Sequence, residues 1–230
     1  MDQDTFAALL ETVRRFVEER LMPLEERVEE EDAVPAEVVQ EMRELGLFGL
    51  SIPEEYGGIG LSVAEEMEVA MLLGSTSPAF RSVFGTTNGV GSQGIVMDGS
   101  EAQRRAYLPR MASGELIASF CLTEPEIGSD AAQLQTRATR TEGGYLLNGT
   151  KRYITNAPAA GIFTVMCKQT MPDGKDKVTA LVCTPDMEGI DIFEKNRSKC
   201  GIRGTWQARI KLENVKVSAE NLLHQEGKGL

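Results

Sequence analysis

One segment of the chain combines hydroxyl, carboxyl and glycine residues in a way that could bind a ligand. Thr123–Asp130 (TEPEIGSD) follows an apolar run, Leu116–Leu122, and contains a proline, a glycine, two hydroxyls and three carboxyls. A loop that leaves a strand with exposed amides and hydroxyls can hold an anionic or carbonyl-rich ligand. An ordinary capped turn explains the same residues, because Ser129-Asp130 before two alanines could simply begin a helix.

Several common kinds of site are missing from the sequence. No GxGxxG follows a strand and no GxxxxGK[ST] occurs, so neither of these phosphate loops would hold a nucleotide. The single histidine, His224, and four cysteines without a CxxC pair form no zinc constellation. The four cysteines are Cys121, Cys167, Cys183 and Cys200. The first three stand in apolar surroundings and are expected to be small buried hydrophobes, and reduced thiols fit the cytosol.

Several motifs resemble, in the same order over almost the whole chain, those of the acyl-CoA dehydrogenase family. The two main motifs are Leu122–Asp130 (LTEPEIGSD) and Lys151–Asn156 (KRYITN). Each is weak alone, since Thr155 could be a strand-end threonine and Tyr153 a core aromatic, but the set is specific. The remaining matches are Gln103–Glu115, Arg203-Gly204-Thr205, Glu213-Asn214-Val215 and Glu220–Leu223.

The resemblance implies a site for FAD. A flavin accepts hydride at N5 and spreads the charge toward its N1 and C2 carbonyl, where hydrogen-bond donors stabilise it. By resemblance, the isoalloxazine ring would contact backbone groups and the Thr123 hydroxyl. The backbone groups are those of Phe120, Cys121, Leu122 and Thr123. Ser129 would lie where the pyrophosphate and the CoA moiety approach. The second motif would contribute Tyr153 against the ring, Ile154, and Thr155 near N5 and O4.

The chain departs from the family pattern at two places. Tyr153 stands where the family most often has tryptophan, which keeps stacking but adds a hydroxyl that needs a partner. His224–Gly227 (HQEG) replaces the common Gly-Glu-Glu-Gly. A general-base role for His224 is conceivable, but its place in the exit segment favours a surface or linker histidine.

Arg81 is a candidate substrate-binding residue. It stands in the mostly apolar Ser77–Thr87, which by resemblance lines the acyl pocket. Buried arginines are rare without an anionic partner. The segment resembles the Tyr-Arg-Ser stretch of glutaryl-CoA dehydrogenases, whose arginine meets the substrate's distal carboxylate. Arg81 could therefore bind a carboxylate on the acyl tail, and a structural salt bridge with a nearby acid is the slightly favoured alternative.

No catalytic residue is assigned within the chain. Desaturation needs a carboxylate base with a raised pKa. In the family this base is a glutamate of a C-terminal helical domain, which we expect to be missing here. Glu124 and Glu126 are expected to be structural. The chain alone should bind FAD weakly and lack turnover.

The elements that would position these residues fall into two parts. In the first half, apolar residues recur at steps of three and four, and Ser62–Glu65 and Ser100–Gln103 have the form of capping boxes. After Gly114 the period shortens to two, with Gly and Asp/Asn turns between runs. We therefore predict an α+β chain, with an all-α domain over residues 1–113 and an antiparallel β-barrel over residues 114–230.

Charge and composition bound the function. The net charge of −11 divides into −12 over residues 1–113 and +1 over residues 114–230, which argues against binding of nucleic acid or anionic membranes by the front half. No signal peptide or transmembrane segment is recognisable, so a cytoplasmic protein without membrane insertion is expected.

The resemblance implies an enzyme that desaturates an acyl-CoA substrate and passes electrons to an electron-transferring flavoprotein. A homo-oligomer, dimer or tetramer, is implied for the full-length protein. An acyl-CoA oxidase or flavin monooxygenase on the same scaffold is an alternative. A non-catalytic binding module is another, if the natural chain ends at Leu230.

Overall fold

A computed structural model describes all residues, 1–230, and divides them into a helical first half and a sheet. Seven α-helices occupy the first half, and two π-helical turns extend α1 and α5, at Val17–Leu21 and Thr87–Gly91. The α-helices are α1 (Gln3–Phe16), α2 (Glu25–Glu31), α3 (Ala36–Glu44), α4 (Val63–Leu73), α5 (Pro78–Thr86), α6 (Gln93–Asp98) and α7 (Glu101–Ala112).

The helix ends follow the chemistry of their residues. The Ser62 and Ser100 hydroxyls accept from the N–H groups of Glu65 and Gln103, whose side chains accept from the serine N–H groups in return. Both predicted capping boxes are confirmed. Gly46, with φ of 71°, follows α3 in the left-handed conformation that glycine adopts without strain.

The second half forms one eight-stranded sheet. The strands are β1 (Ala118–Cys121), β2 (Arg137–Thr141), β3 (Gly144–Thr155), β4 (Ile162–Thr170), β5 (Asp176–Cys183), β6 (Ile190–Phe193), β7 (Gln207–Ser218) and β8 (Leu222–Leu223). Their order is β6-β7-β3-β2-β4-β5-β8, and β1 pairs with β4. The α+β class is confirmed.

The sheet differs from the predicted antiparallel barrel. Strand β4 pairs in parallel with both β1 and β2, so the sheet is mixed. The outer strands β6 and β8 do not pair, so the sheet does not close. Alternating polarity predicts which residues lie in strands, but pairing direction depends on distant parts of the chain, and here β1 reaches β4 by a long connection rather than a hairpin.

The helices and the sheet share a core. One cluster of 17 buried residues lies within the sheet region, and one of 16 lies among the helices, mainly within the first 84 residues. A third cluster of 15 contains Ile95, Leu108 and Met111 from the helices beside Ile162 and Val182 from the sheet. The apolar surface that a sheet face and a helix face cannot bury alone is buried here by both together. The predicted division near residue 114 stays a prediction.

Polar contacts tie the connection between β6 and β7 to the end of α2. Asp32 accepts from the Gly204 N–H at 2.6 Å and from the Asn196 amide at 2.8 Å. The Trp206 indole N–H donates to the Asp32 carbonyl at 2.7 Å. Burial acts to raise the pKa of Asp32, but the bonds from Gly204 and Asn196 outweigh it and hold that pKa below its ordinary value.

Candidate functional site

The structure brings the two main motifs side by side. The first motif begins at the end of β1, and the second ends β3 and continues to Asn156. The Ser119 hydroxyl donates to the Thr155 carbonyl at 2.7 Å. The Arg152 N–H donates to the Thr123 carbonyl at 2.8 Å. Two segments that lie about 30 residues apart in the sequence therefore form one continuous surface.

A buried ion pair joins the same segments. The Lys151 Nζ lies 2.8 Å from the Glu124 Oε1, and the two side chains are 0% and 4% exposed. Burial lowers the pKa of Lys151, and the carboxylate beside it opposes that shift. Burial also acts against ionised Glu124, but hydrogen bonds from Lys151, Thr136 and Gln135 outweigh it and hold the pKa of Glu124 below its ordinary value.

Several hydrogen-bond donors of the first motif have no partner within the chain. The N–H groups of Leu122 and Thr123 and the Thr123 hydroxyl form no hydrogen bond, although both residues are partly buried. Half-buried donors without partners are costly unless water or a ligand satisfies them. Ser129 lies further along, exposed in the loop that follows. The Thr155 hydroxyl accepts from the Gln207 amide at 3.3 Å.

Tyr153 lies at the surface, and two arginines lie close to its ring. The residue has φ of 59° and is 47% exposed. The Arg152 Cζ lies 4.5 Å from the ring centroid and the Arg197 Cζ 5.7 Å. Neither guanidinium forms a salt bridge, and the Arg152 Nε and Arg197 Nη1 are buried without a hydrogen-bond partner. The ring face attracts both cations.

Four of the predicted cofactor-binding residues point their side chains into the protein. Cys121 and Ile154 belong to the core of the sheet, and burial raises the pKa of the Cys121 thiol to about 12. Phe120 and Leu122 pack against the core that the helices and the sheet share. Cys121 and Ile154 can offer only backbone groups to a ligand, whereas the side chains of Phe120 and Leu122 are partly buried.

The helix α5 is held against the second motif. The Asn156 amide donates to the Ser82 carbonyl at 2.7 Å, while its own backbone has φ of 62°. Arg81, the residue before this contact, is exposed, and its guanidinium lies against Gly85. It forms no salt bridge, although Glu66 lines the same small cavity. The alternative of a structural salt bridge therefore has no support in the geometry.

An apolar crevice of about 310 Å³ opens beside Asn156. Its walls come from α3 and the residues before it, from α5, and from segments that precede or connect the strands. The main apolar residues are Val34, Val39, Val83, Ile117, Ala159 and Trp206. The second motif thus borders an apolar space through Asn156.

Other candidate chemistry lies outside this site. His224 is exposed, with its Nδ1 3.6 Å from Asp98. Cys167 and Cys183 are buried and Cys200 is exposed. No group of three or more His, Cys, Asp or Glu residues is placed to hold a metal ion. None of the helices is both long and apolar enough to span a bilayer.

Sequence reasoning missed three parts of the site. Glu124 was expected to be structural, but its ion pair with Lys151 was missed, although a lysine within an alternating strand is a signal for a buried pair. The contact of Arg197 with Tyr153 was missed because the two residues are distant in sequence. The Asn156 contact with α5 was missed for the same reason.

Comparison with known proteins identifies the family. The family model for the acyl-CoA dehydrogenase N-terminal domain matches residues 3–115, and the model for the middle domain matches residues 119–215. The chain belongs to the acyl-CoA dehydrogenase family.

Individual relatives agree with this assignment. The very long-chain specific acyl-CoA dehydrogenase of Rattus norvegicus is 38% identical over 96% of the chain. An acyl-CoA dehydrogenase complexed with FAD from Bacillus anthracis superposes with a TM-score of 0.87 at 34% identity over 99% of the chain. A glutaryl-coenzyme A dehydrogenase in complex with glutaryl-CoA superposes with a TM-score of 0.91 at 32% identity over the whole chain.

This acyl-CoA dehydrogenase family chain is much shorter than these proteins. It spans 34% of the rat relative. It covers 38% of the Bacillus anthracis chain and 58% of the glutaryl-coenzyme A dehydrogenase chain.

Proposed function

We propose that the chain forms the flavin-binding part of an FAD-dependent acyl-CoA dehydrogenase, which introduces a double bond between the α and β carbons of an acyl thioester. The observation that supports this most is the meeting of the two motifs at the ends of β1 and β3, beside donors that have no partner in the chain. A surface of this kind suits a planar, carbonyl-bearing ring.

The residues present fit FAD. The N–H groups of Leu122 and Thr123 and the Thr123 hydroxyl are free to donate to the ring carbonyls and N1. The Tyr153 ring is partly exposed and can pack against an aromatic system. Thr155 and Ser129 complete the proposed contacts, near the ring and near the phosphates respectively. When bound, FAD supplies the hydride acceptor of the reaction.

The proposed work of this chain is to bind and orient rather than to abstract the proton. A catalytic base needs a pKa near the working pH, whereas the pKa of Glu124 is lowered and its carboxylate is occupied by Lys151. Glu124 is therefore a poor base. We propose that a glutamate from a further C-terminal part takes the α-proton, as the family resemblance implies.

We propose that Arg81 recognises a carboxylate at the far end of the acyl group. Its guanidinium is exposed and forms no salt bridge, on a helix that Asn156 holds against the second motif. A dicarboxylic acyl-CoA such as glutaryl-CoA would then be preferred over butyryl-CoA. Turnover of both substrates by the complete enzyme should show a selective loss for glutaryl-CoA in Arg81→Ala. Equal losses on both substrates would refute the assignment.

The proposed function is tested by following the flavin. The chain should bind FAD weakly in equilibrium dialysis, and the complete enzyme should lose its yellow colour when an acyl-CoA is added without oxygen. Slow reoxidation by air and fast reoxidation by an electron-transferring flavoprotein would support a dehydrogenase. Fast reoxidation by air would support the oxidase alternative, and turnover by the 230-residue chain alone would contradict the division of labour proposed here.

A further inference from the structure

Lys151 is the one fully buried lysine of the chain. Lysine is almost never fully buried without a partner. Its Nζ donates to the Glu124 carboxylate at 2.8 Å and to the Leu122 carbonyl at 3.1 Å. Both acceptors belong to the first motif, whereas Lys151 begins the second. A single ammonium group therefore holds the first motif against the second.

Glu124 has a second set of partners. Its carboxylate accepts from the backbone N–H of Thr136 at 2.8 Å and from the backbone N–H of Gln135. Gln135 and Thr136 end the loop that begins at Glu124 and includes Ser129. The carboxylate thus closes this loop at its base, and Lys151 fixes the carboxylate.

The contact of Lys151 with Leu122 involves a peptide group that carries one of the unpaired donors. The Leu122 carbonyl that Lys151 binds belongs to the same peptide group as the Thr123 N–H. A cation at a carbonyl oxygen polarises the peptide, which strengthens its N–H as a donor in a setting of low dielectric. Lys151 therefore sets both the position and the donor strength of the group proposed to meet the ring.

Stability alone is a weak reason for such a pair. Removing two charges from water is costly, and proteins with well-packed apolar residues in their place are often as stable or more so. This buried pair connects the two motifs and closes the loop that contains Ser129. Its role is therefore expected to be the placement of these segments.

We propose that Lys151 and Glu124 are positioning residues for the cofactor, which hold Leu122–Thr123 and the Ser129 loop in the geometry that binds FAD. The proposal rests on the proposed function. Neither side chain touches the ligand, and both act through the backbone that they hold. Their removal should weaken FAD binding by more than it weakens the fold.

The test compares two ion pairs of the same protein. The variants are Lys151→Met, Glu124→Gln and the double variant, and the matched control is Lys211→Met with Glu213→Gln, an exposed pair at 2.8 Å. Urea unfolding without FAD gives the midpoint, and equilibrium dialysis gives the Kd for FAD. Each single variant should lower the midpoint and raise the Kd at least about tenfold, or about 1.4 kcal/mol. The control should change neither.

The double variant separates positioning from stability. With both charges gone, its unfolding midpoint should recover toward that of the wild type, while the Kd for FAD stays at least about tenfold raised. A double variant that binds FAD like the wild type would overturn the proposal, since the pair would then serve the fold alone. If the single variants do not fold, the double variant alone still shows whether the pair is needed for FAD binding.

Hydrogen exchange distinguishes this proposal from the proposed function. Without FAD, amides of residues 122–136 should exchange faster in the double variant than in the wild type, while those of β5 keep their protection. This exchange result can be obtained even if the wild type does not bind FAD. A wild type that does not bind FAD would refute the proposed function. Unchanged exchange in residues 122–136 would overturn the positioning role.

Discussion

At the scale of single residues, Tyr153 has an unusual backbone for an aromatic residue. Its φ of 59° lies in the left-handed region, which costs a bulky residue free energy. The pairing of β3 with β7 is irregular between Lys151 and Ile154, and the Tyr153 ring points outward at this irregularity, close to Arg152 and Arg197. A strained backbone that places an aromatic ring at the surface of the proposed FAD site indicates that the ring contacts the ligand.

Changing Tyr153 should therefore alter FAD binding. We expect Tyr153→Ala to raise the Kd for FAD about tenfold, because the stacking surface is lost, and Tyr153→Trp to bind at least as tightly as the wild type, because its ring is larger. Equilibrium dialysis measures both. Tyr145→Phe, which changes a buried tyrosine of the sheet core, is a control that should leave the Kd unchanged. Equal affinity in Tyr153→Ala would show that the ring does not contact the cofactor.

The cysteines should differ sharply in reactivity. Burial raises the pKa of the Cys121 and Cys167 thiols to about 12 and that of Cys183 further still, so none forms the reactive thiolate near neutral pH. Cys200 is exposed. Iodoacetamide at pH 8 should modify Cys200 alone in the native protein and all four in urea, as mass spectrometry of peptides can show. Native labelling of Cys121 would contradict the buried core.

At the scale of elements, the contact between the end of β3 and α5 depends on one side chain. Asn156 donates to the Ser82 carbonyl and has a left-handed backbone, which asparagine tolerates better than most residues. Asn156→Gly removes the bond but suits the backbone, whereas Asn156→Ala removes the bond and adds strain. The two variants separate the hydrogen bond from the conformation.

We expect both Asn156 variants to be destabilised, by different amounts. Asn156→Gly should lose about 1 kcal/mol in the free energy of unfolding for the hydrogen bond. Asn156→Ala should lose about 1 kcal/mol more, because the alanine Cβ makes the left-handed region costly, whereas glycine has no Cβ. Urea unfolding measures both. An alanine variant as stable as the glycine variant would show that the backbone relaxes out of this conformation.

At the scale of the whole molecule, ionised carboxylates hold distant segments together. Hydrogen bonds from Arg137 and Thr170 lower the pKa of Asp176 strongly. Burial acts to raise the pKa of Glu226, but bonds from Gln169 and Tyr145 outweigh it and lower that pKa. The pKa of Glu124 is lowered in the same way.

Lowered carboxyl pKa values predict loss of stability in acid. A carboxylate with a folded pKa below its unfolded value stabilises the fold above about pH 4 and ceases to do so as the pH falls through the folded value. The melting temperature should therefore be nearly level from pH 7 to pH 5 and fall progressively below pH 4. Asp176→Asn should reduce the steepness of this fall, whereas Asp173→Asn, in the exposed turn nearby, should not. A melting temperature that is level down to pH 3 would contradict the prediction.

Much of the fold was predictable because its signals are local. Capping boxes such as Ser62–Glu65 involve residues three apart, and the alternation along the first half of β7 depends only on neighbours. The parallel pairing of β1 with β4 and the open edges of the sheet were not predictable, since they depend on which distant strand satisfies each backbone group.

Some residues of the candidate site were predictable from the sequence and others were not. Thr123, Tyr153 and Thr155 were found through motif resemblance, which already encodes their common position. The Lys151–Glu124 pair crosses between motifs, and the Arg197 contact with Tyr153 joins residues 44 positions apart. Such contacts exist only once the chain is folded, and no spacing rule in the sequence specifies them.

Trp206 gives the molecule a built-in optical probe. It is the single tryptophan of the chain, is 41% exposed, and its indole N–H bonds to Asp32 across the junction between the helices and the sheet. Its fluorescence therefore comes from one defined place, beside the apolar crevice. A ligand or protein segment that fills the crevice would shift this emission to shorter wavelength, and separation of the helices from the sheet would shift it to longer wavelength. Both events can thus be followed in real time without attaching a dye.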